Sequence, residues 1–266
     1  MATLHGVISF TKKLGTVHGY SKTGTKKGKV FAATNRASDK SHFQTAASMV
    51  NVRNNASEFA GAGLQSKGLN AETSKQFTSV NGKNFHLLQK LFVAIIKLGI
   101  GIAGQRPFSL SLWKSLLQGF TFGRSSLKSN IIAAYTSTLN VGRTVATTIF
   151  PLIPANQVFA PRGATHFRLV QMYLIESDAA YDPDSKKYIP IDPEGQFPFV
   201  DTEFSAWLPV GVDVAVPTSL ANAASTYTPI ATDSGIVIVG IQFAQLVGTE
   251  YNILVANSGA SVTLVG

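Results

Sequence analysis

Residues 166–177 read HFRLVQMYLIES, and residues 236–246 read IVIVGIQFAQL. Both segments are rich in β-branched and aromatic residues, which favour strands. Similar segments follow one another through this half of the chain, separated by turns rich in Pro, Asp, Asn and Gly: 144–150, 187–191, 204–214, 227–231, 251–256 and 261–265. Short strands at this spacing predict an antiparallel β-sandwich, Ig-like or jelly-roll-like, over residues 146–266.

Residues 1–145 differ in composition and in the spacing of apolar residues, and they are predicted to form a separate region. Short strands over 7–10, 16–20 and 29–31 are separated by Lys- and Gly-rich turns, which predicts a basic β-hairpin or three-stranded unit. Apolar residues at helical spacing predict one helix over 41–60, ended by glycines 61 and 63, and a second over 83–98. The predicted fold class is therefore α+β, with a basic hairpin and helices preceding the sandwich.

Charge divides the chain in the same way. Residues 1–130 carry 18 Lys and Arg against 3 Asp and Glu, whereas residues 131–266 carry 5 against 11. No acidic residue occurs between Glu72 and Glu176. A basic half of this kind fits a polyanion such as nucleic acid, the acidic half of a neighbouring copy, or a solvated surface with no dedicated partner.

Basic residues near the N-terminus are the candidate contacts to a polyanion or to another subunit. They are Lys12, Lys13, Lys22, Lys26, Lys27, Lys29 and Arg36. Phe10, Tyr20 and Phe31 are interleaved with them and could stack on bases, or face the core of the hairpin instead.

The densest acidic cluster supplies the complementary candidates for a subunit contact. It contains Glu176, Asp178, Asp182 and Asp184. The spacing lacks the alternating ligands and the turn glycine of a calcium loop, and Asp182-Pro-Asp184-Ser is typical of a turn. We expect an exposed acidic edge that meets a basic neighbour.

The motifs for catalysis and cofactor binding are absent or incomplete. The chain has no cysteine, which excludes disulfides, Cys-ligated zinc and thiol catalysis. Its five histidines are scattered, and His166 beside Arg168 is interpreted as a strand residue. The G-x-G-x-x-G match at 99–104 follows a predicted helix and lacks the acid about 20 residues downstream that a dinucleotide site needs, so it is interpreted as a helix stop. The sequence thus predicts a protein that is not an enzyme and binds no cofactor or metal.

No membrane span is predicted. The apolar run over 91–102 is interrupted by Lys97 and by glycines, and it is shorter than the ~20 residues that a spanning helix needs. No secretory leader is recognised at 4–10. We expect synthesis in the cytoplasm and a final location within an assembled particle or filament.

Several segments resemble a family of uncharacterised basic proteins from Bacteroidetes bacteria. They are GVISFT at 6–11 with KLG at 13–15, RNNASEFAG at 53–61, GQRP at 104–107 with LQGF at 117–120, and APRGATHFR at 160–168 with Ser177, Asp178 and Tyr181. The likeness spans most of the chain and implies one architecture throughout. No activity is established for that family, so the resemblance assigns no site residues.

The leading hypothesis is a structural subunit that assembles into a filament, tube or capsid-like shell by docking its basic N-terminal elements on the acidic β-region of the next copy. The alternative is a nucleic-acid-binding protein that uses the basic half. A third hypothesis is a β-sandwich that binds carbohydrate or protein, with a basic accessory region.

Overall fold

The structure is a computed structural model that describes residues 2–3, 13–14, 17–21, 30–34, 40–77, 82–123, 125–254 and 259–266. Contacts divide the chain into a first unit, Met1–Asn55, and a second unit, Ala56–Gly266.

The first unit contains a four-stranded antiparallel sheet in the order β1-β4-β3-β2. Its strands are β1 (Ala2–Thr3), β2 (Lys13–Leu14), β3 (Val17–Ser21) and β4 (Val30–Thr34). The helix α1 (Lys40–Thr45) follows. Residues 22–29, the turn of the predicted basic hairpin, lie outside the described residues, so that hairpin stays a prediction.

Two long helices follow, and the structure confirms the prediction for one of them and contradicts the prediction for the other. Helix α3 (Gly82–Leu98) matches the prediction for 83–98, because Leu88, Phe92 and Ile95 are fully buried as their spacing indicates. Helix α2 (Val50–Gln76) continues well past the predicted stop at glycines 61 and 63, so that prediction was wrong. The short helices α4 (Lys114–Leu117) and α5 (Leu127–Asn130) come later.

The centre of the second unit is a seven-stranded antiparallel sheet built on two long strands. These are β8 (His166–Ser177) and β14 (Asp233–Val247), which pair along the whole length of β8 from Asp233↔Ser177 to Ala244↔His166. The sheet also contains β5 (Thr121–Phe122), β11 (Phe199–Phe204), β12 (Leu208–Pro209), β15 (Glu250–Ile253) and β16 (Gly259–Val265). Its main order is β11-β8-β14-β16-β5, with β12 on β8 and β15 on β14.

Two smaller sheets complete the second unit. Strands β6 (Thr136–Leu139), β7 (Ala146–Phe150) and β13 (Thr218–Ala221) form a three-stranded sheet, and β9 (Ala179–Asp182) pairs with β10 (Lys187–Pro190). Residues 227–231, which were predicted to be a strand, form none in the structure. Most of 204–214 is likewise irregular.

Both faces of the central sheet are buried, because successive strand residues point to opposite sides. On one side, Met172 and Ile238 join a core cluster with Phe92 of α3 and Leu69 of α2. On the other side, strand residues of odd number join a cluster with Phe150 and with Leu220 of the three-stranded sheet; they include Leu169, Tyr173, Val237 and Ile241. The α+β class is therefore present as one antiparallel sheet between a helical layer and a second sheet.

The contacts divide the chain at Asn55/Ala56, whereas the change in sequence texture placed a boundary at 145/146. The physical reason is that α2 and α3 bury their apolar faces on the central sheet. Leu69, Phe92 and Ile96 share a cluster with strand residues Val170 and Ile236. Helices α2 and α3 thus share one core cluster with strands of the central sheet.

Candidate functional site

The predicted basic contact residues are almost all beyond the described part of the chain. Lys12, Lys22, Lys26, Lys27, Lys29 and Arg36 lie outside the described residues. Lys13 lies in β2, where it is the register partner of His18 in β3. The contact role of all seven stays a prediction.

The prediction of an exposed acidic edge was wrong for Glu176 and Asp178, whose exposed fractions are 0% and 2%. Both follow the apolar run of β8 into the core. The Asp178 carboxylate accepts hydrogen bonds from the Ser111 backbone N–H at 3.0 Å and from the Ser111 hydroxyl at 2.5 Å. Glu176 is the register partner of Ser234 in β14, and neither of its carboxyl oxygens has a hydrogen-bond partner among the described residues.

The predicted turn at Asp182 is confirmed. Its carboxylate accepts hydrogen bonds from the backbone N–H groups of Asp184 and Ser185, each at 3.1 Å. Hydrogen bonds from the Ser185 side chain and then from these backbone groups lower the pKa of Asp182. Lys186 and Lys187 complete the same hairpin end, so this turn carries no net negative charge and is a poor acidic surface.

A second buried carboxyl group lies at the start of β14. The Tyr227 hydroxyl donates toward Asp233 Oδ2 at 2.5 Å and also contacts a carboxylate oxygen of Asp192. The Ile230 backbone N–H donates to Asp233 at 2.7 Å, and the Glu194 backbone N–H donates to Asp192 at 2.6 Å. This network joins the irregular segments around Asp192 and Tyr227 to the first residue of β14.

Burial governs the protonation of the acidic cluster. Desolvation, with a smaller contribution from the charge of Asp178, raises the pKa of Glu176 well above its usual range. Burial also raises the pKa of Asp178, and the bonds from Ser111 oppose that rise. Among the described residues no group of three or more His, Asp or Glu side chains is arranged to hold a metal ion.

A ladder of aromatic and basic side chains lies at the other end of β8. The Arg168 guanidinium carbon lies 4.2 Å from the ring centroid of Phe204 and 4.7 Å from that of Trp207. Trp207 stacks on Tyr251 with centroids 4.8 Å apart and ring planes 14° apart. The His166 ring meets Tyr251 edge-on at 5.2 Å.

Sequence reasoning missed this ladder, although it placed His166 and Arg168 correctly in a strand. Trp207 lies just before β12 and Tyr251 lies in β15. The pairing of β12 with β8 and of β15 with β14 brings the two side chains together. Arg168 Nε donates to Gln242 Oε1 at 2.9 Å, and burial lowers the pKa of Arg168. The ladder's rings and its guanidinium thus contact one another at this end of the sheet.

Exposed apolar side chains lie close together in the segment 98–104 at the end of α3, here called the apolar loop. Leu98, Ile100 and Ile102 are 46%, 96% and 72% exposed. The interpretation of this G-x-G-x-x-G match as a helix stop is confirmed, since α3 ends at Leu98. Gly101 and Gly104 have φ values of 148° and 90°, a conformation that favours glycine.

Polar contacts, one of them buried, hold the far end of the apolar loop in place. The Gly104 backbone N–H donates to Glu58 Oε1 at 2.8 Å, and the Ser57 hydroxyl donates to the Gly104 carbonyl oxygen at 2.7 Å. Arg106 Nη1 donates to the Lys97 carbonyl oxygen at 3.3 Å, and Arg106 Nε lies 3.7 Å from Glu58 Oε1. The exposed isoleucines are thus presented by a backbone fixed at its far end.

Comparison of the chain with protein-family models, with curated proteins and with solved structures gave no match. No helix in the described part of the chain is both long and apolar enough to cross a membrane.

Proposed function

We propose that the chain is a non-enzymatic structural subunit that self-assembles through contacts between the basic N-terminal half of one copy and the acidic C-terminal half of the next. The observation that carries this proposal is the apolar loop, with Ile100 at 96% and Ile102 at 72% exposure. Large apolar side chains presented together on a surface mark interaction sites, because leaving them in water is unfavourable.

The apolar loop has two further properties of a contact element. Its backbone is anchored through Glu58 and Gly104, so little conformational entropy is lost when a partner covers it. Its exposed charged neighbour is Lys97, whereas Arg106 is engaged by Glu58 within the copy. The stretch has no acidic residue between Glu72 and Glu176. A partner surface with acidic side chains would be attracted to it.

The acidic half offers such side chains at positions other than those first expected. Glu176 and Asp178 are buried, and the turn that contains Asp184 carries no net charge. The exposed acidic candidates are therefore Glu194, Glu203, Asp213 and Glu250. A contact between two different surfaces of one protein is heterologous and grows into a ring or an open filament. The expected location is within such an assembled particle.

An Ig-like or jelly-roll-like β-sandwich is part of the same proposal. Its support is the apolar layer that joins the seven-stranded and three-stranded sheets, including Phe150, Leu220 and Val239. Sandwiches of this kind serve many functions, so the assembly role rests on the surface and not on the fold.

Negative-stain electron microscopy of purified native protein, with the 260/280 nm absorbance ratio of the same sample, tests the proposal. We expect regular filaments, tubes or shells with a protein-like ratio. Assemblies with a nucleic-acid-like ratio that fall apart on nuclease treatment would favour the nucleic-acid-binding alternative. Isolated particles of monomer size at all concentrations would contradict assembly.

A further inference from the structure

We propose that the end of the central sheet binds a calcium ion through Glu176 of β8, the hydroxyl of Ser234 in β14 and the hydroxyl of Thr232 just before it. The site lies within one copy of the chain, so this proposal goes beyond self-assembly and does not depend on it. It is carried by polar atoms that the fold buries without giving them a partner among the described residues.

Strand register brings the relevant side chains to one face of the sheet. Glu176 lies directly opposite Ser234. One pair further along, the Asp178 backbone N–H donates to the Thr232 carbonyl oxygen at 2.9 Å, so Asp178 lies opposite Thr232. Residues two apart in a strand point to the same face at a spacing of about 7 Å, and opposed residues are closer. The four side chains therefore form one patch, here called the oxygen patch, whose polar side-chain atoms are all oxygens.

Four oxygen atoms of the oxygen patch are buried and have no hydrogen-bond partner among the described residues. They are both carboxyl oxygens of Glu176 and the hydroxyl oxygens of Ser234 and Thr232. Glu176 and Ser234 are fully buried. Buried polar atoms are normally hydrogen-bonded, so a group of them without partners indicates a bound water or ion. Glu176 and Ser234 face each other without a hydrogen bond, as expected where an ion lies between two oxygens.

The charges around the oxygen patch favour a cation. Among the described residues, neither Glu176 nor Asp178 forms an ion pair, although buried carboxylates are normally paired or bound to a metal. Lys114 is partly exposed and interacts with the charge of Asp178 without forming a salt bridge. Arg143 donates to two backbone carbonyl oxygens near the start of β14. The two carboxylates together supply two negative charges, which match the charge of one Ca²⁺.

The ligand atoms suit calcium better than a transition metal, because the oxygen patch contains no imidazole or thiolate. Asp178 keeps free lone pairs although Ser111 donates two hydrogen bonds to it. One of its oxygens and the four unpartnered oxygens would supply five ligands, and water would complete the shell of about six to eight that Ca²⁺ takes. The site has two carboxyl groups, so it differs from sites with three or more acidic ligands, which the described residues do not form.

Binding is compatible with the burial of the oxygen patch. Without the ion the Glu176 carboxyl is protonated, so Ca²⁺ replaces that proton when it binds. Thr232 belongs to the connection before β14 and is partly exposed, which provides a route from the edge of the sheet. The ligands come from two paired segments of the chain, so the site needs no continuous calcium-loop motif, and the sequence alone predicts no metal.

Calorimetric titration of the chelator-treated full chain with CaCl2, together with thermal unfolding with and without CaCl2, tests the proposal. We expect one Ca²⁺ to bind per chain. The Tm should rise with calcium concentration, because an ion that binds only the folded state stabilises it. MgCl2 at the same concentration should raise the Tm less, because Mg²⁺ demands a near-octahedral arrangement of ligands.

Two variants remove ligands one at a time. Glu176→Gln keeps the shape of the protonated side chain and should abolish the calcium-dependent rise in Tm. Ser234→Ala keeps the carboxyl and should weaken calcium binding at least about tenfold, since losing even a group behind the ligands costs that much at metal sites. Glu194→Gln, at an exposed glutamate, is the matched control and should bind calcium like the wild type. Circular dichroism checks that each variant is folded.

Two results would overturn the proposal. A wild type with no heat of calcium binding and no calcium-dependent change in Tm would leave buried water as the partner of these oxygens. An equal rise in Tm for the wild type, Glu176→Gln and Ser234→Ala would place the calcium at another site. Neither result bears on self-assembly, which is measured separately.

Discussion

Glu176 places a carboxyl group in the core of the central sheet without a hydrogen-bond partner among the described residues. An ionised carboxylate is strongly disfavoured in such a place, so the group holds its proton and its pKa rises well above the usual value of 4.5. Nearby Asp178 differs because Ser111 donates two hydrogen bonds to it. The sequence shows two similar acids, and only the folded environment separates them.

Replacing Glu176 with Gln should change how stability depends on pH. A carboxyl whose pKa is raised on folding is protonated more in the folded than in the unfolded state, so the wild type loses stability as pH rises above about 4.5. Glu176→Gln removes that loss. In urea unfolding, its stability relative to wild type should improve by at least about 1 kcal/mol between pH 4 and pH 8.

Asp178 acts in the same direction, so the slope should diminish without vanishing. Glu194→Gln, at an exposed glutamate, is the matched control and should change the free energy of unfolding by less than about 0.5 kcal/mol. Equal stability differences for Glu176→Gln at pH 4 and pH 8 would show that the buried carboxyl does not titrate as described.

At the scale of elements, helix α2 is a helix whose full length apolar periodicity does not predict. Its buried face includes Gly61, Ser66 and Thr73 in place of large apolar residues. The hydroxyls of Ser66 and Thr73 donate to the carbonyl oxygens of Ala62 and Leu69 at 2.6 and 2.7 Å, which satisfies them inside the helix. Apolar periodicity finds α3 readily, whereas a helix that packs through small residues resembles a glycine-rich turn.

Gly61→Ala should destabilise the protein although alanine favours helices by about 1 kcal/mol over glycine. An added Cβ would lie 2.5 Å from the Tyr188 ring, which is buried beneath α2 and cannot move aside easily. The expected net loss is about 1–3 kcal/mol in the free energy of unfolding, measured by urea titration.

Gly63→Ala, two residues along the same helix, is the matched comparison. There the added Cβ would meet only the end of the Gln89 side chain, at 2.9 Å, and that flexible group can shift. Gly63→Ala should therefore be less damaging than Gly61→Ala. The reverse order would mean that the close approach at Tyr188 does not limit the packing of α2.

At the scale of the whole molecule, the sequence predicted which segments are helices and strands better than it predicted which of them pack together. The central strands β8 and β14 and helix α3 follow from composition and spacing. Their union in one core does not, because it depends on α2 and α3 covering the face that Met172 and Ile238 present. The apolar loop was recognised as a helix stop, yet its 96% exposed Ile100 became visible only in the fold.

The contact role of the basic N-terminal residues remains a sequence prediction. The acidic contact surface is now assigned to other residues, because Glu176 and Asp178 are buried. Charge counts cannot tell that Glu176 and Asp178 enter the core, since burial follows from the register of β8 with β14.

Sedimentation velocity of the wild type and Ile100→Asp at matched concentrations tests the central claim most directly. The account predicts that the wild type sediments as species larger than a monomer, which grow with concentration, and that Ile100→Asp sediments as a folded monomer. Identical sedimentation of the two proteins, whether both assemble or both remain monomeric, would contradict assembly through the apolar loop.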